Sequence, residues 1–126
     1  MGFQKLLVID DDPQMRRVLR ATLAARGFEV AEAASGEGGI ARLRGGHFDC
    51  VLLDLNLPGL DGIETCRVIR KSSQVPIVVT SIRDSEKDKA AARAAGADDY
   101  ITKPFGIEQL LERLGTLSGK TAKGGD

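Results

Sequence analysis

The chain has 126 residues, with 18 acidic side chains balanced by 18 basic ones, which suits a single domain with one full core. The balance lacks the positive excess that nucleic-acid backbones or anionic membranes favour, so this segment is not expected to bind DNA directly. No apolar run approaches the ~20 residues of a bilayer span, and Met1-Gly2-Phe3-Gln4-Lys5 leads into a strand without a signal-peptide pattern, so a cytoplasmic location with no membrane contact is expected.

Five short, β-branched-rich runs alternate with helical patterns, which predicts an α/β fold: a parallel sheet with helices on both faces. The first strand, 5–9, delivers Asp10, Asp11 and Asp12. Asp12 can cap the first helix, Pro13 fits its first position, and Met15, Val18, Leu19 and Leu23 recur at helical spacing until Gly27. After a second strand at 28–33, the helix expected around 36–44 carries Gly36, Gly38 and Gly39. Each lowers helix propensity, so a weak, mobile helix is expected.

The third strand, 49–53, runs into Asp54 and the turn-rich stretch Leu55-Asn56-Leu57-Pro58-Gly59-Leu60-Asp61-Gly62. A helix from Ile63 to Lys71 follows, then a strand at 76–80 that ends in Thr80 and Ser81. The fourth helix, Ser85 to Ala95, is mostly alanine and charge. Each buried methyl(ene) contributes only about 0.8 kcal/mol, so such a helix loses little on shifting. The fifth strand, 98–102, ends at Lys103-Pro104-Phe105, and the fifth helix, Ile107 to Leu114, shows an apolar stripe of Leu110, Leu111 and Leu114. Residues 1–117 form the expected domain, and Ser118 to Asp126, small and polar, read as a flexible tail or truncated linker.

Cys50 and Cys66 have neither metal-type spacing nor a disulfide framework and read as small core residues. His47, the sole histidine, has no second ligand for a zinc site and reads as a solvated loop residue.

In a doubly wound sheet the functional crevice lies beyond the carboxyl ends of the strands, where Asp10, Asp11, Asp54, Thr80, Ser81 and Lys103 all fall. Three acids brought together there would repel one another and raise at least one pKa unless a hard divalent cation such as Mg²⁺ joined them. Such a cup, which leaves cation positions open, suits phosphoryl transfer better than a closed metal cage. Asp12 is assigned to helix capping alone, and Asp61-Gly62 has an ordinary turn as its competing reading.

The motifs Val8-Ile9-Asp10-Asp11-Asp12-Pro13, Leu52 to Gly62, Val79-Thr80-Ser81 and Tyr100-Ile101-Thr102-Lys103-Pro104-Phe105 together resemble a two-component response-regulator receiver domain. The stretch Gly96 to Ile107 further resembles the OmpR/PhoB class of transcription regulators, and within it the KdpE branch. The resemblance implies a flavodoxin/CheY-like sheet of strand order 2-1-3-4-5 with five helices. It implies that Asp54 accepts a phosphoryl group from a sensor histidine kinase, with Asp11, Asp54 and the Asn56 main-chain carbonyl on Mg²⁺ and Asp10 acting mainly through water.

Thr80 and Lys103 would hold the phosphoryl oxygens, Tyr100 would turn inward as Thr80 moves, and the Lys103–Pro104 bond would be cis. Dimerisation on phosphorylation would use the fourth helix, fifth strand and fifth helix. There Asp99 would pair across subunits with Arg113 and Asp98 with Lys120, while the acidic partner of Lys89 falls on Gln109, with Glu108 beside it. DNA would be bound only through a further domain; a stand-alone receiver that relays its signal to a partner protein is the alternative. An aspartate-nucleophile phosphatase would want an acid two residues after Asp54, where this chain has Asn56, so a turnover enzyme is not expected.

Overall fold

The computed structural model describes residues 2–124, with side chains through residue 119. The elements are β1 (Lys5–Ile9), α1 (Pro13–Ala24), β2 (Glu29–Ala33), α2 (Gly36–Gly45), β3 (Cys50–Asp54), α3 (Gly62–Ser72), β4 (Ile77–Ser81), α4 (Glu86–Ala94), β5 (Asp99–Thr102) and α5 (Ile107–Gly124). All neighbouring strands pair parallel in the order β2-β1-β3-β4-β5. The chain therefore reverses its winding between β1 and β3, and the crevice opens beyond their carboxyl ends.

The central strands are apolar at nearly every position because both faces are covered. Leu7, Ile9, Val51, Leu53, Ile77 and Val79 pack on one side with Cys66, Ile69 and Ala92 from α3 and α4. Leu6, Val8, Cys50, Leu52, Val78 and Ile101 pack on the other with Leu19, Leu23, Leu110 and Leu114 from α1 and α5. The two cysteines thus lie on opposite sides of the sheet, both fully buried. Burial pushes the Cys50 thiol up to about 12, so it stays a protonated core group, as the sequence reading expected.

The first helix begins as predicted, with the Asp12 side chain accepting from the Gln14 amide at 3.0 Å and Pro13 at its first position. It stops at Ala24, and Gly27 takes the turn with φ +95°, a conformation that favours glycine. Asp61 proves to be the cap of α3, accepting from the Glu64 amide at 2.8 Å. Within α4 only Ala92 is buried, consistent with the few apolar anchors in its sequence.

Helix α2 lies where it was expected, and α5 runs further than expected. The glycines that made α2 look weak instead let it pack closely, with Ser35 accepting from the Gly38 amide to start it. A Cβ on Gly36 would overlap the Thr65 hydroxyl, and one on Gly39 would overlap the Ile9 side chain. Helix α5 continues past Leu114 to Gly124, through most of the segment read as a tail. Leu117 joins Leu110 and Leu114 in the core and Ser118 is buried, and no proline interrupts the run, so packing carries the helix over Gly115 and Gly119.

At the opposite end of the sheet from the crevice, Asp49 ties β1 to β3. Its Oδ2 accepts from the Gln4 amide at 2.9 Å and the Lys5 amide at 2.8 Å. His47 is exposed, with Nε2 3.2 Å from Asp49 Oδ1. Partial burial acts to raise the Asp49 carboxyl, but the two amides and His47 outweigh it and hold the group below its usual range. A carboxyl lowered on folding lends stability above its unfolded pKa of about 4 and loses it as pH falls further. Asp49→Ala should therefore cost about 2 kcal/mol at neutral pH. Urea titration at pH 7 and pH 3 tests this: the deficit should shrink at the lower pH.

Candidate functional site

The register of the sheet assembles the site. Ile9 lies opposite Leu53, so Asp10, one residue past β1, comes beside Asp54 at the end of β3. Asp54 in turn lies opposite Thr80, and Ser81 opposite Thr102, which precedes Lys103. Residues up to 93 positions apart are joined here by strand order alone.

Asp10 and Asp54 are 2% and 4% exposed, whereas Asp11 is open to solvent. One carboxylate oxygen from each of the three lies within 4.8 Å of the others. Lys103 Nζ stands 3.2 Å from Asp10 Oδ2 and 3.5 Å from Asp54 Oδ1, its side chain 14% exposed. The Asp12 amide donates to Asp10 Oδ1 at 2.9 Å and the Asn56 amide to Asp54 Oδ1 at 3.1 Å. Asn56 thus folds back over the acceptor carboxylate.

Burial pushes the Asp54 carboxyl above the usual carboxylate range. The Asn56 amide and Lys103 pull it down, and Asp10 pushes it up again. One lysine against three acids leaves a buried cup short of positive charge, and its donors are hard oxygens. That donor set fits a divalent cation such as Mg²⁺, which takes few carboxylates and keeps other positions open.

The loop after β3 is held close by Gly62. Its amide donates to the Leu55 carbonyl at 3.2 Å, and an added Cβ would overlap Leu55 Cα and lie 2.6 Å from the Asp54 carbonyl oxygen. Thr80 is buried. Ser81, its strand neighbour, faces the other side of the pleat and accepts from the Arg83 amide at 3.0 Å, so its hydroxyl serves the loop after β4. The Lys103–Pro104 peptide is cis.

Tyr100 is turned inward and buried, and its hydroxyl donates to the Arg83 carbonyl at 2.8 Å. Thr102 donates to Asp84 at 3.0 Å, and Lys89 stands 3.1 Å from the same carboxylate. Lys89 and Thr102 hold the Asp84 carboxyl below its usual range. The loop after β4 is therefore fastened to β5 at two points. Ile82 within that loop is 70% exposed.

Most of the residues placed on a dimer face are engaged within the chain. Arg113 Nη1 pairs with Asp99 Oδ1 at 2.7 Å, and Lys89 with Asp84. Asp98 accepts from the Ile77 amide at 2.8 Å and from Arg70 at 3.0 Å. Arg70 also donates to the carbonyls of Gly96, Ser73 and Val75, which makes this a clamp between α3, β4 and β5. Gln109 and Glu108 are exposed, and Glu108 pairs with Arg26 at 2.8 Å. The Asp98–Lys120 pairing falls on a side chain outside the described residues.

Sequence reasoning passed over Arg16, Glu32, Arg70 and Asp84, because nothing in local spacing marks them; their partners lie on other elements.

A doubly wound sheet with a buried acid at the end of β3, two acids after β1, a hydroxyl near the end of β4 and a lysine after β5 defines a class of protein. The response regulator receiver domain model matches residues 6–115, and the chain belongs to that family. Among curated relatives it is 44% identical over 109 residues to the transcriptional regulatory protein KdpE of Mycobacterium tuberculosis (strain H37Rv), covering 86% of this chain and 48% of the relative. It is 45% identical over 109 residues, with the same coverage, to the KDP operon transcriptional regulatory protein KdpE of Escherichia coli (strain K12). These relatives are transcription regulators of the OmpR/PhoB class, the class the motifs implied. The receiver domain of Francisella response regulator 1452 superimposes with a TM-score of 0.88 at 30% identity, covering 94% of this chain and 98% of that one. The chain spans about half the length of the curated relatives it matches. Among the described residues no helix is long and apolar enough to cross a membrane.

Proposed function

We propose that this receiver domain accepts a phosphoryl group on Asp54 from the phosphohistidine of a sensor kinase, with Mg²⁺ in the acidic cup. The observation that carries the reading is the Asp54 carboxylate itself: buried, pushed up by burial, and facing Lys103 and the acids that follow β1. An Asp54 oxygen forms the new O–P bond as the N–P bond breaks and its electron pair stays on the imidazole nitrogen. Asp10, Asp11, Asp54 and the Asn56 main chain would hold Mg²⁺, which when bound neutralises phosphoryl oxygens.

Lys103, within reach of Asp54, would neutralise a second phosphoryl oxygen, and the Thr80 hydroxyl, one strand over, would donate to a third. The residue two beyond Asp54 is Asn56, whose amide side chain supplies no general acid or base, and the domain would position a reaction rather than turn over a substrate. The gain of charge at Asp54 would draw Thr80 inward and favour the packing in which Tyr100 is buried. Tyr100 already lies inward here, so phosphorylation would hold the face of α4, β5 and α5 in that packing for a homodimer, in which Asp99, Arg113 and Lys89 exchange their partners within the chain for partners across it, and so control transcription by a DNA-binding domain in the remaining length of such regulators. Each exposed pair is worth only ~0–1 kcal/mol, so dimerisation would rest on several together.

Intact mass after incubation with acetyl phosphate and Mg²⁺ tests the acceptor. The expected result is an adduct of about 80 Da, the mass of the added group, absent in Asp54→Asn and absent with chelator. An adduct indifferent to Asp54 would overturn the assignment.

A further inference from the structure

We propose that Arg16 is a positioning residue for the acidic cup, acting by fixing the Asp10–Asp11 peptide through which Asp11 reaches the cation. The inference rests on the Mg²⁺ reading above. Arg16 lies in α1, and its Nη1 donates to the Asp10 carbonyl at 2.7 Å. Its Nε donates to Glu32 Oε1 at 3.2 Å, and the other Glu32 oxygen accepts from Arg20 at 3.1 Å. The fork of one guanidinium therefore joins the exit of β1 to the end of β2, with both side chains largely shielded, 18% and 25% exposed.

The geometry matters because the Asp11 side chain itself is not held. It is exposed, and among the described residues its carboxylate makes no hydrogen bond or ion pair. Its direction follows from the backbone just before it. There the Asp10 amide is bonded to the Ala33 carbonyl at 3.1 Å, the Asp10 carboxylate to the Asp12 amide and Lys103, and the Asp10 carbonyl to Arg16. The last bond sets the plane of the peptide that leads to Asp11. Lysine could not replace it fully, since one ammonium lacks the fork that serves two acceptors at once.

Simple Coulomb reasoning gives the opposite sign, which makes the inference testable. A guanidinium beside a cation site repels the cation, so its removal should tighten binding. Positioning predicts weaker binding. Mg²⁺ titration by calorimetry on the metal-free chain, at a temperature where circular dichroism shows each variant folded, separates the two.

Arg16→Gln should weaken Mg²⁺ binding about 10-fold, the lower end of the effect seen when a group orienting a metal ligand is lost, and Arg16→Lys should restore part of it. Arg17→Gln, which removes the same charge from the exposed neighbouring position, should bind within about twofold of the parent. Equal or tighter binding by Arg16→Gln would overturn the inference while leaving the metal site intact. Absence of binding by the parent chain would instead overturn the metal reading, and this inference with it. Should Arg16→Gln not fold, Glu32→Ala serves in its place: it leaves Arg16 but removes the acceptor that holds its Nε, and unchanged affinity there would equally overturn the proposal.

Discussion

Lys103→Met is expected to destabilise the metal-free domain by about 3 kcal/mol at pH 7, the cost of leaving buried charge without its partner. The lysine is the cation nearest to both Asp10 and Asp54, whose side chains are 3% and 5% exposed. Methionine keeps most of the side-chain length and apolar contact, so the loss reports charge rather than a cavity. For a domain of this size the melting temperature should fall by roughly 10 °C.

The pH dependence gives the sign. Asp54 already titrates above the usual carboxylate range because of burial, so its ionised form costs stability as pH rises from the unfolded pKa through the folded one. Removing Lys103 enlarges that cost. The deficit of Lys103→Met should therefore be greatest at neutral pH and shrink on acidification as the cup takes up protons. Mg²⁺ should recover part of it by supplying the missing charge. Thermal melts at pH 7 and pH 4.5, with and without Mg²⁺, measure all of this; a deficit indifferent to both would show that Lys103 acts through packing alone. The same variant should also accumulate far less phosphoryl adduct in the mass assay.

Gly62→Ala carries the second large effect, about 3 kcal/mol, at the upper end for overpacking. The clash is with backbone, Leu55 Cα and the Asp54 carbonyl oxygen, and not with the end of a flexible side chain, so either α3 or the loop after β3 must move. Movement of that loop also disturbs the Asn56 amide that holds Asp54. Loss of stability by chemical denaturation should thus be accompanied by slower adduct formation in the fraction that remains folded. Gly115→Ala is the contrast. Its Cβ would meet nothing within 4 Å in the middle of α5, and alanine there should stabilise by about 0.5–1 kcal/mol. If the two substitutions had similar effects, close approach at Gly62 would not be the reason for glycine there.

The elements were legible because their signals are local. Hydrophobic runs of five or six residues between helical patterns gave all five strands to within one residue, and Asp12-Pro13 marked the start of α1 by capping chemistry alone. The helix at α2 was legible, but the use of its glycines was not: propensity counts what a glycine costs an isolated helix, whereas Gly36 and Gly39 stand where a Cβ would overlap Thr65 and Ile9, far away in the chain. The length of α5 was less legible, since the run from Ser118 is small and polar and shows no apolar period, whereas the helix continues to Gly124 with Leu117 and Ser118 buried.

The site divides in the same way. The sequence by itself determined which groups stand at strand exits, because an acid, hydroxyl or lysine that closes an apolar run can hardly lie elsewhere: Asp10, Asp11, Asp54, Thr80 and Lys103 were all named from that pattern. Only the tertiary structure decided how those groups are held. Arg16 reaches the Asp10 carbonyl across a loop, Arg70 and the Ile77 amide occupy Asp98, and Asp84 collects Thr102 and Lys89. Such contacts join elements whose separation in sequence carries no period or spacing, and they exist only once the strand order has been set by packing both faces of the sheet.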